Sequence, residues 1–283
     1  MFGIDRQVYY RSIKRTRLKQ SLSKQVVELV KAQRVILPRV GTRKLYYMLN
    51  APLKELKIGR DKFFAILKAN HLLIQPKRSY HLTTWSHHRF RKHPNLIKEV
   101  AIKRPEQVWV SDITYIGKPD KPCYLSLITD AYSKKIVGYE VSDSLSTQGC
   151  IKALKMAHKN RMFKGEPLIH HSDRGIQYCS DQYQYLLQKC NIKCSMTQNS
   201  DPYENAVAER INGILKQEFM IDSYHLELPL MKKLVTQAIS RYNQIRPHWS
   251  NNMLTPEMMH LQKNIKMKTY KTKNRSNLKA TSV

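Results

Sequence analysis

Residues 107–117, QVWVSDITYIG, decide how this chain is read. Valine, tryptophan, isoleucine, threonine and tyrosine crowd the run and a glycine ends it, which spells a β-strand. Asp112 sits inside that strand, and Trp109, three residues earlier, falls on the other face and is expected to pack in the core. Working outward, CYLSLITDAYS (123–133) and KKIVGYEVS (134–142) read as two further strands joined by a short turn around Ser133-Lys134. Residues 146–160 carry a helical pattern, LIHHSD (168–173) is a buried strand, 180–190 a helix and IKCSMTQ (192–198) a last strand. Three successive strands followed by alternating helix and strand predict an α/β domain over residues 105–260. Its centre is a mixed five-stranded sheet with helices on both faces.

Charge divides the chain in the same places. The 283 residues hold 50 Lys and Arg against 21 Asp and Glu, a net charge of +29. Residues 1–104 contain 25 basic and 5 acidic residues, residues 105–260 contain 18 and 16, and residues 261–283 contain 7 and none. A balanced middle between basic flanks points to flanks that hold a polyanion, with nucleic acid the natural partner. Hydrophobic residues make up 41%, which excludes wholesale disorder. No apolar run is long enough for a membrane span, and five cysteines in a chain of this length argue against a disulfide framework. Cys123, Cys150, Cys179, Cys190 and Cys194 are expected to be small buried residues, and the protein to be soluble, cytoplasmic and nucleoid-associated.

Residues 1–74 read as an all-α, helix-turn-helix-like DNA-binding region. SKQVVELVKAQRVIL (23–37) has helical spacing from a Ser23 N-cap to a stop before Pro38. Two short helical stretches follow, carrying Arg43, Lys44, Arg60 and Lys62 as candidate DNA contacts, and residues 60–70 are the expected recognition helix. Residues 75–104 read as a basic linker, in which His87 and His88 lack the partners that metal binding requires. Residues 261–283 read as a disordered basic tail.

Three carboxylates stand out by position. Asp112 lies in the first strand, Asp173 ends the fourth, and Glu209 lies on the helix of residues 201–220, expected to start with Asp201 as N-cap, Pro202 at its first position and Glu204 closing a capping box. That job for Glu204 leaves Glu209 as the free carboxylate, in the second turn and on one face with Lys216, a candidate phosphate contact. Carboxylates on adjacent parallel strands converge at one sheet edge and repel one another without a cation. Oxygen-only ligands of this kind suit Mg²⁺ or Mn²⁺, and a pair of ions serves phosphodiester chemistry. Strand alternation puts His171 on the face of Asp173, bordering the site, while Arg174 and Gly175 follow the strand end where DNA would approach.

WVSDITYI (109–116), HHSDRGIQY (170–178) and ENAVAERINGILKQE (204–218), with YNQIRPH (242–248) and LTP (254–256) following, resemble the catalytic core of retroviral-type integrases. They are more similar still to the insertion sequence three family of transposases, second reading frame product. That family carries two aspartates, a 35-residue gap, a glutamate and a basic residue seven positions later, matched here by Asp112, Asp173, Glu209 and Lys216. Residues 38–74 also look like its N-terminal helix-turn-helix piece. Two departures are visible: Glu204-Asn205-Ala206 replaces the usual Asp-Asn-Ala, and the retroviral zinc-binding HHCC domain is absent.

The resemblance implies an RNase H-like fold and a DDE polynucleotidyl transferase. It implies two Mg²⁺ per site, with Mn²⁺ able to substitute, on Asp112, Asp173 and Glu209. The implied partners are double-stranded DNA at the terminal inverted repeats and the target, a homo-oligomer on that DNA, and an upstream reading frame fused by frameshifting, with Met1 then an internal start. An inactive DNA-binding repressor of the element's ends and an RNase H-like nuclease without strand transfer are the alternatives.

Overall fold

The computed structural model describes residues 5–75, 93–98, 100–117, 121–198 and 205–268. Helix α1 (Arg6–Ile36) is capped by Asp5, whose side chain accepts the Gln7 N–H at 2.9 Å. It starts far upstream of Ser23, which is an interior residue. Residues 6–21 are almost all exposed, so no apolar stripe announces them. They are nonetheless rich in Arg, Lys, Gln and Leu with no Gly or Pro, and those residues favour helix whether or not they are buried. The helix ends ahead of Pro38, as the sequence predicts.

Helices α2 (Thr42–Met48), α3 (Asn50–Glu55) and α4 (Arg60–Ala69) follow, with α4 where the recognition helix is expected. Their inward residues Leu45, Leu53, Phe63 and Leu67 pack with Val26 and Val30 of α1. This cluster does not stop at residue 74. It runs on into Ile211, Leu215, Val235 and Tyr242 of the following domain, so the helical unit shares its core with the sheet domain.

The five expected strands are present: β1 (Val108–Gly117), β2 (Pro122–Asp130), β3 (Ile136–Ser142), β4 (Leu168–Ser172) and β5 (Ile192–Met196). They lie in the order β3-β2-β1-β4-β5. The first three form an antiparallel meander, and β4 and β5 run parallel to β1 and to each other. This is the RNase H-like arrangement. Helix α5 (Thr147–Lys159) buries Cys150, Ala153 and Leu154 against Trp109 on one face. It comes so close to the edge strand that a Cβ on Gly138 would meet the Ala153 carbonyl at 2.2 Å, which is why that strand position has no side chain. Short α6 (Ile176–Cys179) and α7 (Asp181–Lys189) link β4 to β5. Helix α8 (Ala206–Glu218) covers the opposite face, where Ala208 meets Val108 and Val110. Helices α9 (Leu228–Gln244) and α10 (Pro256–His260) complete the described fold.

Two expected boundaries move. Residues 93–98, read as linker, lie along β5: Pro94 O accepts the Met196 N–H at 3.2 Å, and Ser195 Oγ accepts the Leu96 N–H at 2.9 Å. They supply pairing that the edge strand would otherwise lack. Residues 261–268, read as disordered tail, are tied down by Asn264 N–H to Lys103 O, Ile265 N–H to the Tyr132 hydroxyl and Lys268 N–H to Ser250 O. His87, His88 and residues 269–283 lie outside the described residues.

Candidate active site

The β1–β4 ladder sets Ser111 opposite Ser172. Asp112 is the next residue of β1, on the face that α8 covers, and Asp173 follows the end of the neighbouring parallel strand β4. Asp112 is held at both oxygens: Oδ1 accepts the Ile113 N–H at 2.9 Å and Oδ2 accepts Asn212 Nδ2–H at 2.8 Å. Asp173 Oδ1 accepts the Gly175 N–H at 3.0 Å, and a Cβ on Gly175 would stand 3.0 Å from that same oxygen. A side chain at Gly175 would crowd that carboxylate.

Helix α8 begins at Ala206 with Asn205 as its N-cap, and the expected cap residues Asp201, Pro202 and Glu204 lie outside the described residues. Asn205 donates from Nδ2 to the Ser111 carbonyl at 3.1 Å and ties the helix start to β1. The later start moves Glu209 from the second turn into the first, where its side chain is exposed.

The carboxylates share one field. Burial, then the charge of Asp173, pushes Asp112 up to about 7; Glu209 adds to the rise, and the hydrogen bonds from Asn212 and Ile113 oppose it. Glu209 is raised by burial and then by Asp173. Lys216, half-buried two turns along α8, is lowered by burial while Asp222 and Asp112 pull the other way. Among the described residues, no three His, Cys, Asp or Glu side chains stand close enough to hold a metal ion. The acidic oxygens are gathered without being closed into a ligand set.

On the far side of the sheet, His170 Nε2 is hydrogen-bonded to Ser111 Oγ at 2.7 Å and to the Tyr183 hydroxyl at 2.9 Å. Burial, then His171, pushes His170 down to about 3, so a neutral imidazole braces β1 against β4. His171 is fully buried, with Nδ1 2.8 Å from Ser195 Oγ. Arg174 is half-buried beside Asp173, and Arg43, Arg60 and Lys62 are exposed on the helical unit. Lys44 departs from the expected DNA contact: it faces inward, 3.0 Å from Glu218. Of the cysteines, Cys123, Cys150 and Cys179 are buried, whereas Cys190, just before the outer strand, and Cys194, within it, are only half-buried.

Sequence reading missed Asn212, three residues after Glu209 and so on the same side of the helix, a spacing that would have flagged it. It also had no role for YNQIRPH. Tyr242 donates to the Lys134 carbonyl at 2.8 Å, Asn243 bonds both backbone groups of Ile136, and Arg246 grips Glu218 with two bonds of 2.7 and 2.8 Å.

A family profile described as an integrase core domain matches residues 102–202, and a second of the same description matches residues 190–256. The chain is 34% identical over 221 residues to the 31 kDa protein of insertion element IS600 of Shigella sonnei, covering 77% of this chain and 80% of that one. It is 30% identical over 195 residues to transposase InsF for insertion sequence IS3A of Escherichia coli K12, covering 68% and 67%. The chain belongs to the IS3 family of insertion-sequence transposases. As a transposase of this family it is a DDE-type polynucleotidyl transferase, and the two profile matches between them span Asp112, Asp173 and Glu209. The transposase also resembles the HTLV-2 integrase catalytic core domain solved in complex with magnesium, at 21% identity over 56% of this chain and 97% of that one, with a TM-score of 0.44. No helix among its described residues is long and apolar enough to cross a membrane.

Proposed function

We propose that this transposase cuts and rejoins DNA at the ends of an insertion sequence, with Asp112, Asp173 and Glu209 as the catalytic carboxylates. The observation that carries the reading is the shared field of these three groups, which lifts Asp112 to about 7 through burial, Asp173 and Glu209. Carboxylates left to repel one another in a folded protein make sense when a cation joins them. Their donors are all oxygen, the chemistry that selects Mg²⁺, with Mn²⁺ as substitute. Bound there, two such ions supply an activated attacking oxygen and stabilise the leaving one in an in-line displacement at phosphorus.

The protein's own groups do the rest. The Ile113 N–H and Asn212 fix the rotamer of Asp112, and the Gly175 N–H fixes Asp173. Glu209 is the exposed member, on the first turn of α8. Lys216 and Arg174 hold phosphate beside the carboxylates. Water attacks the phosphodiester at the element's end and the 3′ oxygen leaves. That 3′-OH then attacks a second phosphodiester and displaces its 3′ oxygen, joining the two ends of the element into a circle that later inserts elsewhere. One site serves both steps because both are displacements at phosphorus.

The exposed Arg43, Arg60 and Lys62 bind duplex DNA at the terminal inverted repeats, and holding two ends and a target requires more than one protomer. The test is incubation of labelled end duplexes with the protein and its Glu209→Gln variant, in Mg²⁺ or EDTA. Cut and joined products from the unmodified protein in Mg²⁺ alone, with binding but no products from the variant, are expected. Binding without products under any condition would replace this reading with a repressor of the element's ends, and cutting without joining would leave a nuclease.

A further inference from the structure

The catalytic helix is finished by residues far from it in sequence. The backbone carbonyl of Glu218, at the C-terminus of α8, accepts the N–H of Arg39 at 3.0 Å, from the loop between α1 and α2. The Glu218 carboxylate meets Lys44 Nζ at 3.0 Å from α2 and the Arg246 fork from the segment just after α9. A cation at the C-terminal end of a helix is favoured by the helix dipole, and a last-turn carbonyl needs a donor from outside the helix. The helical unit supplies both.

This cluster holds more charge than structure alone requires. Arg246, whose side chain is 2% exposed, already satisfies Glu218 through two hydrogen bonds. A buried one-to-one pair is neutral, whereas the added Lys44 leaves two cations against one carboxylate in a site where desolvation is costly. Burial and then Arg246 push Lys44 down to about 8, although Glu218 pulls it upward. Lys44 is also the only one of these groups that belongs to the helical unit's own helices.

We propose that Lys44, with the Arg39 backbone, is a positioning clamp through which docking of the N-terminal helical unit sets the seat of α8 and hence of Glu209. It rests on the reading of Glu209 as a catalytic carboxylate. Glu209 and Glu218 stand at opposite ends of one helix, nine residues or about 14 Å apart. A rigid helix seated at its far end transmits that seating to its first turn. DNA engaged by α4 thereby reaches the catalytic face through packed structure within one protomer, so the transposase cuts only while its DNA-binding unit is docked. Lys44 in this role touches no substrate.

The test uses the full chain with Lys44→Met and Lys44→Arg. With labelled end duplex at saturation, Lys44→Met is expected to lower the single-turnover cutting rate by about tenfold while the Kd for the duplex stays within about twofold, and Lys44→Arg to restore the rate. Amide hydrogen exchange gives a readout independent of cutting: end duplex should change exchange in the last turn of α8 in the unmodified protein, and not in Lys44→Met. Loss of affinity with an unchanged saturating rate would make Lys44 a DNA contact and overturn the clamp. So would an α8 exchange response to DNA that survives Lys44→Met. If Lys44→Met does not fold, Lys44→Gln, which keeps a hydrogen-bond donor toward Glu218 and loses the charge, takes the same readouts. If the unmodified protein never cuts, the catalytic reading falls, while the exchange response still decides whether the clamp exists.

Discussion

The two ends of helix α8 carry carboxylates in opposite circumstances. At its start, Glu209 faces Asp173 and Asp112, and Asp112 is pushed up to about 7 by burial and by its acidic neighbours. At its end, Glu218 is pulled down to about 2 against the cost of its burial, because Arg246 and Lys44 hydrogen-bond it and surround it with positive charge. Glu106 repeats the second pattern, held near 2 against burial by His260 and by the Met162 and Phe163 N–H groups, with Arg161 at 3.3 Å. Carboxylates that serve the fold bring their own cations. Those proposed to serve the chemistry are instead raised by burial and by one another's charge.

Removing a carboxylate at the start of the helix should therefore destroy activity, and removing the buried Arg246 fork at its end should cost stability. Asp112→Asn or Asp173→Asn is expected to lower the cutting rate by about a thousandfold or more, with end-duplex affinity retained; rates with labelled duplex and Mg²⁺ measure this. Arg246→Met leaves Glu218 buried without its fork, and urea unfolding should show a loss of about 3–5 kcal/mol.

The pH dependence separates the two ends by sign. Glu218 and Glu106 have folded values depressed to about 2, so the stability they confer is present above their ordinary value near 4.5 and is lost as pH falls toward 2. Asp112 is raised, so what its protonated form contributes is present below its ordinary value near 3.8 and is lost as pH rises through about 7. Without metal at pH 8, Asp112→Asn should melt a few degrees above the unmodified protein, on the order of 2–4 °C for each kcal/mol in a chain of this size. The gain should vanish below about pH 4. The smallest expected effect lies on the surface. Arg43→Ala and Lys62→Ala should each reduce the salt slope of duplex binding by about 1 without changing the saturating cutting rate.

Much of this was legible in the sequence, for physical reasons. Alternation and β-branched residues mark QVWVSDITYIG and LIHHSD as strands because half or all of each is buried, and the topology then leaves Asp112 and Asp173 on neighbouring parallel strands. Helix α1 was legible only where it packs: its exposed half has no period to read. The anchor at the start of α8 was not legible, because Asn205 is held by a tertiary bond to Ser111, far away in sequence. The direction of Lys44 could not be read at all. A lysine on a short basic helix looks the same whether it meets phosphate or Glu218, and the partner lies 174 residues away.

The most direct test of the contrast is a calorimetric titration of Mn²⁺ into the DNA-free protein at pH 7, in two buffers of different ionisation enthalpy. Binding accompanied by proton release is expected, since Asp112 at about 7 must give up its proton share to become a ligand, and Asp112→Asn should abolish both the binding and the release. Binding that is unchanged in Asp112→Asn, or that releases no protons, would contradict the claim that these carboxylates are held in wait for a cation.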